Sequence, residues 1–329
     1  MRTDTPSPDE RVPAVSIGVP VYNGEAYLAE ALDSLLAQTF TDFEIVVCDN
    51  ASTDATAAIC RDYATRDGRI RVHRQPENLG AVPNFNKVFE LSRAPLFKWH
   101  ACDDLVDPSY LEKVMAVIAA RPQVVWCHSL SSHVDARGKL FTDPAALDVS
   151  YADRGADRPS ARFAAVLLSA EGCLDSYGVI RSSALARTPL YRELYGAEKP
   201  MMAELALMGP YAEVPETLFY ARVAPTGSGN LATEDEQQVF IMGAGAKAPR
   251  LARLRYLEAY LDAIRRSAPG ATEAWRARVA VMRWLFQVSK WRRIAVRALR
   301  GEGVGGRNRE RIETMGGDAE TGATRGTVT

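Results

Sequence analysis

The sequence predicts an α/β fold: a mostly parallel central sheet flanked by helices, with a helical extension at its C-terminal end. Three observations point to it. Short apolar runs alternate with helix-period stretches through the first half, the pattern of strands joined by crossover helices. Polar clusters stand directly after three of those runs, at Pro20-Val21-Tyr22-Asn23-Gly24, Asp49-Asn50-Ala51-Ser52-Thr53-Asp54 and Asp103-Asp104. From about Glu234 onward no strand signal remains.

The elements follow in order. Val15 to Val19 reads as the first strand, and Tyr27, Leu28, Ala31, Leu32, Leu35 and Leu36 then recur at helical spacing. Phe43 to Cys48 is the second strand. Ser52 or Thr53 is placed to cap the next helix, with Ala58, Ile59 and Tyr63 inward. Ile70 to His73 is a short strand, Phe85, Val88 and Phe89 mark a helix, and Pro95 to Trp99 delivers the acidic pair. Pro108 opens a helix whose Val114, Val117 and Ile118 face inward, and Val124 to Cys127 is a further strand. Between Ser129 and Pro159 the pattern degrades into Asp, Gly, Pro and Ala and reads mostly as loop. Helices follow at Phe163 to Leu168 and at Met201 to Met208, the latter ended by Gly209-Pro210. Thr217 to Arg222 closes the sheet.

The C-terminal part then carries one apolar stripe (Leu251, Leu254, Leu257, Tyr260, Leu261, Ile264) and a second helix from about Glu273 to Leu299. That second helix holds Trp275, Trp284 and Trp291 among many arginines. It has two readings: an interfacial helix held against an anionic leaflet, or a helix packed on the domain with its arginines in solvent. The second is the simpler. Residues 1–13, polar with three prolines, read as a disordered arm; 14–232 as the α/β domain; 233–300 as the helical extension; 301–329 as a disordered tail.

Composition narrows the function classes. The chain has 329 residues and a formal net charge of −1, so no global field recruits nucleic acid. The five cysteines fit neither a zinc site nor a disulfide scaffold and suit a reducing cytoplasm. No signal peptide and no membrane span are expected, since no apolar run reaches about 18 residues.

Open α/β sheets bind ligands beyond the carboxyl ends of their strands, where the three polar clusters fall. Two adjacent carboxylates there are costly unless a cation neutralises them, and a hard divalent ion is the natural occupant. No P-loop is present, because Gly68 and Gly80 lack the required Lys-Ser/Thr spacing.

At this point the chain resembles a known family. Val15-Ser16-Ile17-Gly18-Val19-Pro20-Val21-Tyr22-Asn23, Val46-Val47-Cys48-Asp49-Asn50-Ala51-Ser52-Thr53-Asp54, Glu77-Asn78-Leu79-Gly80 and Ala101-Cys102-Asp103-Asp104 are similar, in order and rough spacing, to the inverting family 2 glycosyltransferases with a GT-A fold. The resemblance covers about the first 130 residues and is looser downstream, through Leu205 to Pro210 and Val214 to Tyr220. It implies a nucleotide-sugar donor bound with Mg²⁺ or Mn²⁺, and a hydroxyl acceptor on a glycan, lipid-linked sugar or small molecule, as in polysaccharide biosynthesis. Residue by residue, Asp49 would accept the imide N–H of uracil or thymine, with Asn50 beside it. Pro20, Tyr22 and Asn23 would line the other side of the base, with Glu25 adjacent in a less defined role. Asn78 and the segment through Asn84 would lie over the nucleotide. Asp104 would bind the metal and Asp103 the ribose or a metal-bound water.

Each residue also has a plainer reading. Asp49 and Asp54 could cap the following helix, Tyr22 could be a turn aromatic, and Asn78-Leu79-Gly80 is a turn signal in its own right. Asp107 reads as the start of the helix at Pro108, and His100 as a structural histidine. Two departures from the family stand out. Cys102 occupies the place of a third acid, and no His follows the closing strand, where Arg222 would contact the diphosphate or the surface. Glu198 is the general base the resemblance implies, with Glu in place of the commoner Asp; Glu204 is its rival, or else a solvated helix carboxylate. Two other classes remain: a non-catalytic sugar-nucleotide binder, and a sugar nucleotidyltransferase, whose Gly-rich basic N-terminal loop is missing here.

Overall fold

The computed structural model describes residues 11–140, 150–169, 173–223, 234–244, 246 and 252–286. The expected arm up to residue 10, the tail from 301, and the 232/233 boundary lie outside the described residues. The first strand, β1 (Val15–Val21), is buried along its whole length, as is β2 (Phe43–Asp49). Continuous burial means both faces of the sheet are covered, which a run such as Val-Ser-Ile-Gly-Val-Pro-Val is suited to. Gly18 is required there: a Cβ would lie 2.7 Å from atoms of both Phe97 and Val88.

Helix α1 (Leu28–Leu36) and α2 (Thr56–Arg66) join these strands to β3 (Ile70–Arg74). Then come α3 (Ala81–Glu90), β4 (Leu96–Trp99), β5 (Leu105–Val106), α4 (Tyr110–Ala120) and β6 (Trp126–Val134). After them follow α5 (Pro159–Leu168), a 3₁₀ turn (Leu174–Tyr177), β7 (Val179–Arg181), α6 (Ser182–Leu185), α7 (Glu198–Met208) and β8 (Tyr211–Arg222). Among the described residues eight strands form one sheet in the order β3-β2-β1-β4-β7-β6-β8-β5. β1 pairs in parallel with both β2 and β4, so the connections diverge at that point and open a crevice at the strands' carboxyl ends.

Two cores cover the two faces. One gathers Leu28, Leu32, Leu35, Cys60, Tyr63, Tyr110, Leu111 and Val114 from α1, α2 and α4. The other gathers α3, α5 and α7 together with the extension, α8 (Glu234–Met242), α9 (Ala252–Ser267) and α10 (Ala271–Leu285). The extension therefore shares its core with the sheet. All five cysteines are free, and four of them are buried.

Several expectations are corrected. The stretch from Ser129 is not loop at its start: β6 continues to Val134, and a 3₁₀ turn spans Ala152–Gly155, while 141–149 lie outside the described residues. The strand was hidden because its buried residues include His128, Ser129, Ser131 and Ser132, polar groups that mask an apolar period. β8 begins at Tyr211, six residues before the expected start, and the short β5 and β7 carried no sequence signal. Neither Ser52 nor Thr53 caps α2, which begins at Thr56; Asp54 Oδ1 accepts the Thr56 N–H instead, at 3.0 Å. α4 begins at Tyr110 rather than Pro108, with the Asp107 carboxylate accepting the Ser109 N–H at 2.8 Å. In α9 the expected stripe is displaced: Leu254 is exposed, and Ala259, Tyr260, Ala263 and Ile264 are buried. The second C-terminal helix is described to Leu285 only.

Candidate functional site

The loops after β1 and β2 are stitched together by side chain to backbone bonds. Asn23 Oδ1 accepts the Thr53 N–H at 2.9 Å, and Ser52 Oγ accepts the Asn23 N–H at 2.9 Å. Glu25 Oε2 accepts the Ala55 N–H at 2.9 Å, and Asp54 Oδ2 accepts the Glu25 N–H at 3.0 Å. Glu25 thereby has a defined role in fixing the rim. Asn23 and Ala51 sit at positive φ, 50° and 60°, a backbone form that these reciprocal bonds hold in place. Tyr22 stands at the rim, 45% exposed, while Pro20 is buried in the strand.

Asp49 ends β2 and is buried. Its Oδ1 accepts the Ser52 N–H at 2.8 Å, and its Oδ2 pairs with Arg74 at 2.6 Å. Arg74, from the end of β3, also donates to the Ser52 carbonyl at 2.9 Å and is half-exposed. The accessible member of this pair is therefore the arginine, a residue the sequence reading did not single out. Its signal was present: the last residue of a strand whose neighbour ends in Asp49. Asn50 is fixed to the next turn, donating to Asn78 Oδ1 at 2.8 Å and to the Gly80 carbonyl at 3.0 Å, and accepting from the Leu79 N–H at 3.0 Å. Asn84 is not over this rim but beneath it. It is buried and donates to the Cys48 carbonyl at 3.0 Å, because α3 packs against the ends of β1 and β2.

The acidic pair lies in the turn between β4 and β5. Asp104 is buried, with Oδ1 accepting the Arg222 backbone N–H at 2.9 Å. His100 Nε2 lies 3.1 Å from the Asp104 carbonyl, consistent with its structural reading. Burial, and then the charge of Asp103, push the Asp104 carboxyl well above the usual carboxylate range; burial raises Asp103 too. Two carboxylates that resist ionising together mark a place where an added cation is favoured. Among the described residues no cluster of three or more His, Cys, Asp or Glu could hold a metal unaided. Two carboxylate groups would fit Mg²⁺ or Mn²⁺ completed by phosphate and water.

Arg222 does not reach toward a diphosphate. Its side chain is buried and its guanidinium donates to the carbonyls of Asp103 (2.8 Å), Asp135 (3.3 Å) and Ala136 (3.2 Å) and to Glu30 (2.6 Å), lying over the Tyr27 ring. It ties the carboxylate turn to the end of β8.

Glu198 is the first residue of α7, and its side chain is partly exposed. Surrounding protein raises its carboxyl above the usual range. Its charge in turn opposes ionisation of Tyr191, Tyr195 and Tyr256. Glu204, by contrast, is neither solvated nor available. Its two oxygens pair with Arg266 at 2.9 and 2.7 Å, Ser267 Oγ adds a bond at 2.9 Å, and only 1% of the residue is exposed. It fastens α7 to α9.

Sequence reasoning also missed the 3₁₀ turn Leu174–Tyr177, which packs against β4 and β6. Tyr177 stacks on Phe219 at 5.7 Å, and Phe219 pairs with Val106 just beyond Asp104. Burial raises the Tyr177 hydroxyl, and Asp104, Tyr191, Asp103 and Glu198 add to the shift. Lys98, fully buried in β4, holds the turn from below by donating to the Tyr177 carbonyl at 2.6 Å and the Trp99 carbonyl at 3.1 Å. A groove of about 840 Å³ lies to one side, between α3 and the 189–194 segment, and shares Tyr191 with the Glu198 surroundings.

Residues 16–144 match the family described as glycosyl transferase family 2. Over 132 residues the chain is 33% identical to the putative glycosyltransferase EpsH of Bacillus subtilis (strain 168), covering 40% of this chain and 38% of that protein. The chain thus spans well under half the length of that curated relative. S. aureus TarS 1-349 in complex with UDP aligns with a TM-score of 0.57 at 17% identity, over 82% of this chain and 70% of that one. The mannosyltransferase PcManGT from Pyrobaculum calidifontis, in complex with GDP-Man and Mn²⁺, aligns with a TM-score of 0.53 at 16% identity, over 95% and 82%. Motif order, sheet topology and these likenesses agree on a GT-A fold, within which residues 16–144 match glycosyl transferase family 2.

Proposed function

We propose that the chain is an inverting glycosyltransferase that moves a sugar from a nucleoside-diphosphate donor to an acceptor hydroxyl on a glycan, lipid-linked sugar or small molecule. The observation that carries this reading is the placement of the Asp103-Asp104 turn, held by Arg222, at the same carboxyl edge of the sheet as the rim fixed by Asn23 and Asp49. Asp49 and Arg74 form a carboxylate–guanidinium pair at the base end of the crevice. A uracil or thymine imide offers an N–H beside a carbonyl oxygen, the complement of that pair, and Tyr22 is free to lie against the ring. TarS with UDP supports this base, whereas PcManGT with GDP-Man keeps guanine as a possible outcome of the test.

Asp104 would hold a Mg²⁺ or Mn²⁺ ion, with Asp103 beside it, and the Mn²⁺ in PcManGT supports that choice. When bound, such an ion supplies charge neutralisation of the departing diphosphate. Glu198 takes the acceptor proton. The acceptor oxygen then bonds to the anomeric carbon, while the bond from that carbon to the diphosphate oxygen breaks and its electron pair leaves with the nucleotide. The raised carboxyl of Glu198 suits this, since a base works best when its pKa approaches the operating pH. The protein would act in the cytoplasm, peripherally at the inner face of the membrane where its acceptor is lipid-linked.

The test is a nucleotide screen by thermal shift, with and without Mn²⁺, followed by product detection with the best donor. Protection by UDP or TDP above GDP, ADP and CDP, strengthened by Mn²⁺, is expected. Equal protection by all of them would overturn the base assignment. Donor binding without any transfer or slow donor hydrolysis would favour a non-catalytic sugar-nucleotide binder, and pyrophosphate release from a nucleoside triphosphate would favour a nucleotidyltransferase.

A further inference from the structure

Helix α10 has two apolar faces. Ala277, Ala280, Val281 and Trp284 are buried and pack toward α5 and α9. On the opposite side Trp275, Val279, Met282 and Phe286, the residue that ends the helix, are exposed at 65%, 40%, 48% and 66%. Spacings of four, three and four residues align them along one line. At 3.6 residues per turn, Arg276 and Arg283 flank that line on one side and Arg278 on the other, and all three are exposed. The nearby acid, Glu273, is already engaged, accepting the Ser160 N–H at 2.8 Å and pairing with Arg276 at 2.6 Å. From Ala274 to Arg300 the sequence holds eight cations (Arg276, Arg278, Arg283, Lys290, Arg292, Arg293, Arg297, Arg300) and no acid.

The helix does not need its outer stripe for packing, because its inner face is already in the core. A line of large apolar side chains that includes Trp and Phe, edged by arginines, matches a helix lying in the plane of a lipid interface. We infer that this face of α10 docks on an anionic lipid surface, with Trp275, Val279, Met282 and Phe286 at the boundary of headgroups and acyl chains and the arginines among the headgroup phosphates. A second copy of the chain is a poorer occupant. Two such faces brought together would set Arg276, Arg278 and Arg283 against like charges, whereas an anionic leaflet supplies the opposite sign along the whole edge. The contact is peripheral, since no described helix is long and apolar enough to cross a membrane. The inference stands independently of the glycosyl-transfer reading, because its readout is binding.

The experiment is flotation of the full chain with vesicles of phosphatidylcholine alone, and with vesicles of equal parts phosphatidylcholine and phosphatidylglycerol, at low and high salt. The wild-type protein should float with the anionic vesicles, weakly or not at all with the neutral ones, and less at high salt. Trp275→Ser with Phe286→Ser should lower the partition coefficient by about tenfold or more, and Arg278→Glu with Arg283→Glu should do the same on anionic vesicles only. Both pairs are exposed, so an unchanged melting temperature certifies the fold. Failure to float with anionic vesicles, or flotation unaltered by the Trp275 and Phe286 changes, overturns the inference. A concentration-dependent dimer that the Trp275 and Phe286 changes dissolve, with no lipid binding, assigns the face to a second copy instead.

Discussion

The two halves of the sheet handle polar groups in opposite ways. Around β1, β2 and β3 the carboxylates and amides hold backbone N–H groups of their own or the adjacent loop: Asp49 holds Ser52, Asn23 holds Thr53, Glu25 holds Ala55, Asp54 holds Thr56. Around β6, β7 and β8 the charged groups are buried and answered from far along the chain. Arg154 pairs with Asp175, Glu204 with Arg266, and Arg222 with Glu30. The first arrangement makes a rigid, accessible rim suited to a ligand. The second makes a polar interior in which losing one partner strands the other. The acidic pair lies on the seam, delivered by β4 but held by Arg222 from β8. Substitutions on the rim should therefore change binding, those in the interior stability, and those at the seam catalysis.

Asp104→Asn should break this division most sharply. Asparagine keeps an oxygen for the Arg222 N–H but removes the charge, so the fold persists. Transfer should fall roughly a thousandfold, the scale of losing one preorganised electrostatic partner. The melting temperature of the metal-free protein should hold or rise, because a buried charge is gone. Near-normal kcat in Asp104→Asn, or full wild-type activity in excess chelator, would remove the metal role from this residue.

Glu198 and Glu204 share a helix and separate the two regimes. Glu198→Gln should lower kcat by roughly two to four orders of magnitude while nucleotide protection survives. The wild-type rate should gain an acid limb above the usual carboxylate range, rising with pH as Glu198 loses its proton, and that limb should be absent from Glu198→Gln. Glu204→Gln should leave the chemistry intact but cost about 1–3 kcal/mol in urea unfolding, a figure moderated by the partial exposure of Arg266. The reverse outcome, a stable but inactive Glu204→Gln beside a normal Glu198→Gln, would exchange the two roles.

The same contrast explains what could be read from the sequence. The rim was legible because its residues lie within a few positions of the strand that presents them: an apolar run followed by Asp49-Asn50 or Asp103-Asp104 declares both the strand and its polar end. β6 was read only to Cys127, because its serines and His128 are satisfied by partners that no local pattern reveals. Tyr110 bonds His128 from α4, and Ser131 approaches its other nitrogen. Arg222 and Glu204 were visible as charges, but their partners are 192 and 62 residues away. No spacing rule connects such pairs. Lys98 was visible in the run Leu96-Phe97-Lys98-Trp99, and a lysine within a buried strand is itself a signal. The Asn78-Leu79-Gly80 turn shows the intermediate case. Its turn chemistry was readable, but not that a Cβ on Gly80 would lie 2.4 Å from the backbone of Gly243, where α8 closes onto it.

On the rim, Arg74→Met sharpens the comparison at smaller amplitude. It removes the accessible half of the Asp49 pair and leaves Asp49 the Ser52 N–H. UDP affinity should fall about tenfold to a hundredfold, the range for one charged hydrogen bond, with preference over ADP reduced. Isothermal titration decides it. Unchanged UDP affinity would leave the base to Tyr22 and the backbone of the rim.

The smallest effect concerns Lys98, and its sign distinguishes the interior from the seam. Burial brings the Lys98 ammonium down to about 7, with Asp104 opposing the shift. Below that pH the folded and unfolded chains both hold the proton, and the folded state bears the full cost of the buried charge. Above it the unfolded chain still holds a proton that the folded chain has released, so stability rises with pH toward the ordinary lysine range. Asp103 and Asp104 act in the other direction, because their raised carboxyls hold protons the unfolded chain has lost. Stability they contribute is present at low pH and lost as pH rises through their raised values. Lys98→Met places an apolar side chain between the rings of Tyr110 and Phe219, each 5.1 Å from the ammonium, and removes the lysine's contribution. Urea unfolding of the metal-free protein between about pH 7 and about pH 9 should show a wild-type slope of stability against pH that exceeds that of Lys98→Met by on the order of 1 kcal/mol per pH unit. Parallel slopes in the two proteins would mean that Lys98 stays charged in the folded chain, held by the carbonyls of Tyr177 and Trp99 and by the two rings.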